Sequence, residues 1–548
     1  VAAPPTPLPL VPAPVRAVPG PPGAVVRLGA APDVDADPGA ELAAAHLRRV
    51  LAGTTGGTRT GARTGAPGAA DADPVRVRPA PVRLRLDGPP PAGGVPGTPV
   101  PGTPVPGGPV AGAYRLTVAA PADGTGPGHV EVRAEDAAGL LHGVVTLAAL
   151  LRPAANGWEV DPVTVEDAPR FGWRGLSLDV ARSFLAPEDV RRVVDLLVEL
   201  KLNVLHLHLT DDQGWRLEVP SRPALVERSS GTAVDGGRPG AYTVAEYADL
   251  VAYAGERGVV VVPEIDLPGH VNAALHAYGE LSPDGERTQE YTGIDVGFSR
   301  LRPDLPATEP FLVDVLGDVA AQTPGPFVHI GGDEVHEAPA EEYAAVVAVA
   351  AREVRRAGRT PVAWQEAAGT DLGPGAVLQL WDVRLDPTTL LRAAADGAHV
   401  VLSPAPRVYL DMKYDERTEL GLYWAGYVEL RDSYDWEPLD LVAGLPADRV
   451  LGVEAALWSE TVRSLDDVMH LLLPRLAAVA EVAWSAAEVR GWDGFVARVG
   501  ALSRRWDADG RRWYRSPQGV WPAPPGDGHA RPETRVTRRG EREDRSVV

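Results

Sequence analysis

Hydrophobic and polar positions change rhythm along this chain. Three short segments, VRLRL (82–86), YRLTV (114–118) and VEVRA (130–134), place apolar side chains at every second position. That is the period of a half-buried strand, and it predicts antiparallel strands with one face on a core. Two runs have helical spacing instead: ELAAAHLRRVL (41–51), which stops at Gly53, and AAGLLHGVVTLAALL, from Ala137. Together they predict a small α+β domain over residues 23–168.

From Arg174 the rhythm changes. GLSLDV (175–180), NVLHLHL (203–209), VVVVPEI (259–265), FVHIG (327–331), PVAW (361–364), AVLQLW (376–381), HVVLS (399–403) and GVEAALW (452–458) are apolar on both faces. Between them lie amphipathic runs such as 187–201, 243–258, 341–357 and 465–484. Strands buried on both faces and alternating with helices belong to a parallel sheet packed by helices. Eight of them predict an α/β fold, a (β/α)8 TIM barrel over residues 169–522. No Gly-rich phosphate or dinucleotide fingerprint follows any of these strands.

The remaining segments read as loops or tails. Residues 1–22 are Pro/Ala-rich and predict a tail without ladder or helix. The repeat PGTPVPGTPVPGGPV (96–110) predicts a surface loop, and residues 523–548, rich in charge, predict a disordered tail. A length of 548 residues exceeds what one core usually serves. The net charge of −21 argues against a nucleic-acid partner. With no cysteine there is no disulfide framework, thiolate metal site or thiol nucleophile. No apolar run approaches the ~20 residues that cross a bilayer, so no membrane partner is expected. The opening VAAPPTPLPLVPAPV resembles the mature end left after removal of a signal peptide, and the Arg, Ala, Gly and Pro usage resembles a high-GC bacterium. The expectation is a secreted bacterial protein.

Barrel enzymes carry reactive groups at the carboxyl ends of their strands. Here those positions hold Asp179 and Arg182, then Asp211, Asp212 and Trp215, then Glu264, Asp266 and His270, then Asp333 and Glu334, then Trp364 and Glu366, then Trp381 and Asp382, and last Trp458 and Glu460. Indole faces stack on the apolar faces of sugar rings, while carboxylates and arginine bind ring hydroxyls. Gly331–Gly332 lets the backbone bend before Asp333–Glu334, so that both acids can serve one pocket. Glycoside hydrolysis needs such a carboxyl as proton donor, and His270 with Asp211 can tune it.

The strings RGLSLDVARSFL (174–185), KLNVLHLHLTDDQGWRLE (201–218), PEIDLPGH (263–270), HIGGDE (329–334), AWQEA (363–367), YLDMKY (409–414) and ALWSE (456–460) resemble the family 20 glycoside hydrolases, the β-N-acetylhexosaminidases. Leu267 stands where methionine is common in that family, a volume-conserving change. The resemblance implies an exo-acting, retaining enzyme that releases terminal N-acetylglucosamine or N-acetylgalactosamine from β-linked oligosaccharides or glycoconjugates. It implies substrate-assisted catalysis, in which the sugar's own 2-acetamido oxygen attacks the anomeric carbon to give an oxazolinium. Glu334 would then be the acid and base, Asp333 would hold the acetamide N–H, and Tyr409 would bind the acetamide oxygen. Trp364, Trp381 and Trp458 would wall the pocket, and Arg182, Asp411 and Glu460 would bind ring hydroxyls. Asp211, Asp266 and His270 would support them, with Trp424 on the leaving-group side. No cofactor or metal is expected. Two other readings stay open at this point. His206-Leu-His208 has the spacing of a metal-binding pair, and the chain could be a silent sugar-binding module.

Overall fold

The computed structural model describes residues 8–53, 79–89, 103–108, 110–121, 126–335 and 338–523. The N-terminal domain is a six-stranded sheet in the order Arg16–Pro19, Val163–Asp167, Tyr114–Ala119, His129–Ala134, Val82–Leu86 and Val34–Ala36. Helices Glu41–Gly53 and Ala137–Leu150 supply Leu47, Leu140, Val144 and Leu147 to a core shared with Val82, Leu84, Leu116, Val130 and Val132. The second helix starts where the Asp136 carboxylate accepts the Gly139 N–H at 2.8 Å, a side-chain N-cap.

Two expectations are corrected here. Val82–Leu86 runs parallel to His129–Ala134, with Leu84 opposite Val132, because the antiparallel hairpin 114–134 inserts its second strand beside it. Alternation shows which face is buried but not the direction of the neighbour. Residues 8–22 are also no tail. Leu10 and Val11 are buried, and Arg16–Pro19 pairs antiparallel with Val163–Asp167. Proline is tolerated there because the strand lies on the sheet edge. Residues 1–7, most of the repeat 96–110 and residues 524–548 lie outside the described residues.

The second domain is a closed barrel of eight parallel strands: β1 (Trp173–Asp179), β2 (Val204–His208), β3 (Val260–Glu264), β4 (Phe327–His329), β5 (Thr360–Trp364), β6 (Val377–Leu380), β7 (His399–Leu402) and β8 (Val450–Leu457), with β8 closing on β1. The floor is an apolar plug of Trp173, Val204, Val260, Val262, Phe327, Val362, Val377, Val401 and Leu451. One step higher along the strands come His206, Glu264, His329, Gln379 and Glu454, all fully buried. Gly175 makes room in this layer, since a Cβ there would lie 2.2 Å from Glu454 Oε2.

The amphipathic run 465–484 is broken into Leu465–Leu472 and Arg475–Trp484, because Pro474 has no N–H to continue the helix. The break serves the rim. The buried Arg475 guanidinium donates to the carbonyls of Leu410 (2.6 Å), Met412 (2.7 Å) and Val428 (2.7 Å), and so fixes the loop that follows β7.

The two domains meet on a buried ion pair. Asp167 accepts from Lys201 Nζ (2.8 Å), Tyr114 Oη (2.8 Å) and Trp484 Nε1 (2.9 Å). Asp167→Ala would strand the Lys201 ammonium in a dry interface, and loss of one partner of such a pair costs about 3–5 kcal/mol. The expected result is a urea unfolding midpoint lowered to match; a change under about 1 kcal/mol would mean that the ammonium finds another partner.

Candidate active site

The rim site is built around the turn that leaves β4. Gly331 has φ +67° and Gly332 has φ +111°. A Cβ on Gly331 would fall 1.7 Å from Asp266 Oδ1, so the turn needs glycine for conformation and for space. Asp266 Oδ1 also accepts the Gly332 N–H (3.2 Å), and Tyr343 Oη donates to the Gly332 carbonyl (2.7 Å). Glu334 has φ +52° and His270 φ +54°, a left-handed backbone that non-glycine residues rarely adopt. These turns bring His270 Nε2 to 3.3 Å from Glu334 Oε2 and 3.8 Å from Asp333 Oδ2. The other imidazole nitrogen, Nδ1, lies 3.2 Å from Asp211 Oδ1.

Charge pairing decides the protonation of this cluster. Burial penalises the Asp211 carboxylate, but Arg182 (2.9 Å) and His270 overcome it and hold its pKa below the usual range. Burial likewise opposes a charged His270, and Asp211 outweighs it, with Asp266 and Asp333 adding; the imidazole is held well above its ordinary value. Asp266 and Asp333 are both pushed up by burial and, for Asp266, by the Asp333 charge. Glu366 is raised to about 8 by burial and by Asp333.

Five aromatic side chains wall the space beside the acids. Trp364 and Trp458 lie 6.0 Å apart, Tyr409 is 6.0 Å from Trp458, and Trp381 lies nearly parallel to Tyr409 at 6.3 Å. Indole N–H groups fix the walls: Trp364 Nε1 donates to Glu264 Oε1 (2.9 Å) and Trp381 Nε1 to Glu366 (3.1 Å). Burial first, then Asp333, keeps the Tyr409 phenol far above its usual pKa, so it remains a donor at neutral pH. Trp424 stands edge-on to Trp381 (5.9 Å) and Tyr409 (5.8 Å) and is 47% exposed, which places it at the mouth.

The remaining polar groups are Arg182, Asp411 and Glu460. Asp179 accepts the Arg182 N–H (3.1 Å) and ties it to Ser459 (2.9 Å), and the guanidinium sits 5.1 Å over the Trp458 ring. Neither Asp411 oxygen, nor Glu460 Oε2, has a hydrogen bond of ordinary geometry although all are buried. Burial raises Asp411 well above the carboxylate range, and Glu460 to about 7. Buried acceptors left open in this way are places for the hydroxyls of a ligand.

The structure thus brings together Asp333, Glu334, His270, Asp211 and Asp266, and beside them Trp364, Trp381, Tyr409, Trp424, Trp458, Arg182, Asp411 and Glu460. Three other rim candidates serve elsewhere. Trp215 packs on Phe311 in the core, Asp212 accepts from Ser299 and Asn272, and Asp382 pairs with Arg384. The two histidines of the possible metal pair are engaged with carboxylates. His206 faces Glu454 (2.9 Å) and Glu264 (3.0 Å), His208 faces Glu264 (2.6 Å) and Asp211 (2.8 Å), so all four ring nitrogens already meet carboxylates. Burial opposes the His206 charge, but Glu264 outweighs it and raises the imidazole to about 9. Sequence reading missed Arg475, Gln379 and Glu454, whose partners come from distant strands and leave no local signal.

Comparison with known proteins agrees with this geometry. The catalytic domain of glycosyl hydrolase family 20 matches residues 171–353 and 341–487, and domain 2 of that family matches residues 8–168. A β-N-acetylhexosaminidase of Cellulomonas fimi is 52% identical over 464 residues, covering 83% of this chain and 89% of that protein. The family 20 β-N-acetylhexosaminidase of Streptomyces coelicolor superposes with a TM-score of 0.80 at 38% identity, covering 95% of this chain and 100% of that one. A mutant β-hexosaminidase of Streptomyces plicatus, solved in complex with its product GlcNAc, gives 0.79 at 39% identity, covering 95% and 99%.

The charge reading of the cluster has a direct check. Because the His270 pKa is raised, the ring stays an imidazolium as pH rises through 6.5 and above. In 15N-detected NMR both ring nitrogens of His270 are expected to remain protonated at pH 7.5, and Asp211→Asn to let the ring titrate lower. A neutral His270 at pH 7.5 in the unsubstituted protein would contradict this electrostatic account.

Proposed function

Because the chain belongs to glycosyl hydrolase family 20, we propose a division of labour in its pocket between Glu334, Asp333 and the substrate itself. The protein is a β-N-acetylhexosaminidase, and it acts by substrate-assisted catalysis. A terminal N-acetylhexosamine enters with its ring among Trp364, Trp381 and Trp458. Its hydroxyls donate to Asp411 and Glu460, and Arg182 donates to its hydroxyl oxygens. These groups stop the pocket, so cleavage is from the chain end.

Glu334 gives its proton to the glycosidic oxygen as the bond to the anomeric carbon breaks. The acetamide oxygen forms the new bond to that carbon, and the leaving sugar departs as an alcohol. Asp333 accepts the acetamide N–H and offsets the positive charge that develops on the oxazolinium. Tyr409 donates to the acetamide oxygen and aims it. Water then attacks the anomeric carbon, Glu334 takes back a proton, and the acetamide is regenerated with configuration retained. The observation that carries this reading is that Asp333 and Glu334 flank one imidazole nitrogen, at 3.8 and 3.3 Å. Two acids so placed serve neighbouring parts of a ligand, and the substrate supplies the nucleophile. The substrates proposed are β-linked N-acetylhexosamine oligosaccharides and glycoconjugates.

Glu334→Gln removes proton donation and little else. It is expected to lower turnover about 10²–10⁴-fold with a poor alcohol leaving group and far less with a nitrophenol, which leaves unassisted. Equal losses on both would assign Glu334 another role. A second expectation comes from Glu460. Its pKa is raised to about 7, so it gains a proton as pH falls through that value. Sugar hydroxyls bind its ionised form better, so binding should release protons. The Kd for GlcNAc, measured by calorimetry, is expected to rise below pH 7, at most about tenfold per unit, and to lose most of that slope in Glu460→Gln. A Kd flat from pH 5 to 8 in the unsubstituted enzyme would exclude Glu460 from hydroxyl binding.

A further inference from the structure

Beneath the pocket, acids and imidazoles alternate in one continuous file. Glu454 Oε1 lies 2.9 Å from His206 Nδ1, and His206 Nε2 3.0 Å from Glu264 Oε2. Glu264 Oε2 lies 2.6 Å from His208 Nδ1, and His208 Nε2 2.8 Å from Asp211 Oδ2. Asp211 Oδ1 then lies 3.2 Å from His270 Nδ1, and His270 Nε2 approaches Glu334 Oε2 to 3.3 Å, a contact of charge rather than a hydrogen bond, as is that of His206 Nε2. The file runs from the fully buried middle of the barrel to the reacting end of the pocket. Glu264 is its branch point, because its other oxygen accepts the indole N–H of Trp364 and lies 3.0 Å from His329 Nδ1.

We propose that Glu264 is a positioning residue for the acid–base step: it holds His208 as a charged donor to Asp211, and through Asp211 and His270 it sets the pH at which Glu334 gives up its proton. The proposal rests on Glu334 being the acid and base.

His208 Nε2 has two polar neighbours. Arg182 Nη1 approaches it to 3.3 Å, which by itself would suit a lone pair on that nitrogen. The Asp211 oxygen is closer, at 2.8 Å, and a lone pair cannot face a carboxylate at that distance, so the proton sits on Nε2. Nδ1 meets Glu264 at 2.6 Å, a charge-assisted distance, so it too is protonated. The same direction follows from the balance of burial, which disfavours the charge, against Glu264 and Asp211, which restore it. Glu264 in turn is held ionised against burial by His329, His208 and His206. His329 differs from the other rings: burial lowers its pKa, and its Nδ1 lies 3.0 Å both from the Gly331 nitrogen and from Glu264 Oε1.

The groups that face the acid's imidazole are Asp211, Asp212 (4.0 Å), Asp266, Asp333 and Glu334, with Arg182 beyond Asp211. Among these Asp211 is the one shared with His208. An imidazolium at His208 draws charge from Asp211 and limits how tightly Asp211 holds the His270 proton. If Glu264 loses its charge and His208 becomes neutral, an anion and a cation both leave the file; the first change eases ionisation of the neighbouring acids and the second hinders it, so the ionisation of Glu334 is reset by their imbalance.

Glu264→Gln is the test, since its amide oxygen can still accept the Trp364 N–H. The expected result is an alkaline limb of kcat/KM moved by more than about 0.2 pH unit, with the Kd for GlcNAc within about twofold of the unsubstituted enzyme. A merely structural Glu264 would lower kcat or stability and leave the limb within about 0.2 unit, which would overturn the proposal. If the variant does not fold, the unsubstituted enzyme decides. In 15N NMR, His208 is expected to show both ring N–H groups from pH 5 to 8, and a neutral His208 in that range also overturns the proposal. An enzyme in which Glu334 is not the acid would instead fail the leaving-group comparison, whatever the state of His208.

Discussion

A closed barrel turns every second strand residue into a dry interior, where a charge is tolerable only beside its counter-charge. That constraint organises this molecule. Above the apolar plug, three imidazoles and an arginine answer the carboxylates of Glu454, Glu264, Asp211 and Asp179, at distances from 2.6 to 3.6 Å. Since none of these groups can turn to water, each fixes the next, and Glu334 inherits its orientation from residues several strands away. The rim then needs little of its own. Asp266 fills the space beside Gly331, and the turn that carries both acids has one way to lie.

The second support comes from outside the barrel wall. The loop after β7 has little regular structure, yet it carries Tyr409, Asp411 and Trp424. Arg475 pins it by three carbonyls, and Pro474 sets Arg475 at the start of a new helix. That helix ends at Trp484, whose indole reaches Asp167 of the N-terminal domain. The small domain is thereby tied to the helix that holds the pocket loop, and its buried Asp167–Lys201 pair acts on the same framework.

Much of this was legible in the sequence, for physical reasons. All eight barrel strands announce themselves by being apolar on both faces, and the polar exceptions fall at their ends, where a barrel puts chemistry. HIGGDE could be read as a turn because two consecutive glycines imply backbone that other residues avoid. What stayed hidden depends on partners. Nothing in VRLRL says that its neighbour runs parallel, and nothing in GVEAALW says that Glu454 meets a histidine from β2. His206-Leu-His208 looked like a metal pair because spacing reveals a shared face but not what stands opposite. The prolines before Arg16 concealed an edge strand, since the rule against proline in sheets does not hold at an unpaired margin.

The stopped end of the pocket has a consequence for how the enzyme meets a polymer. In the proposed binding mode Asp411, Glu460 and Arg182 would close one side around a single sugar, and the freed monosaccharide would leave by the opening through which the next chain arrives. The chain cannot slide forward while that unit is still in place. Degradation on that mode would be distributive, one residue per encounter, and its rate would follow the number of chain ends rather than the mass of polymer. An endo-acting partner that makes new ends would speed this enzyme without touching it.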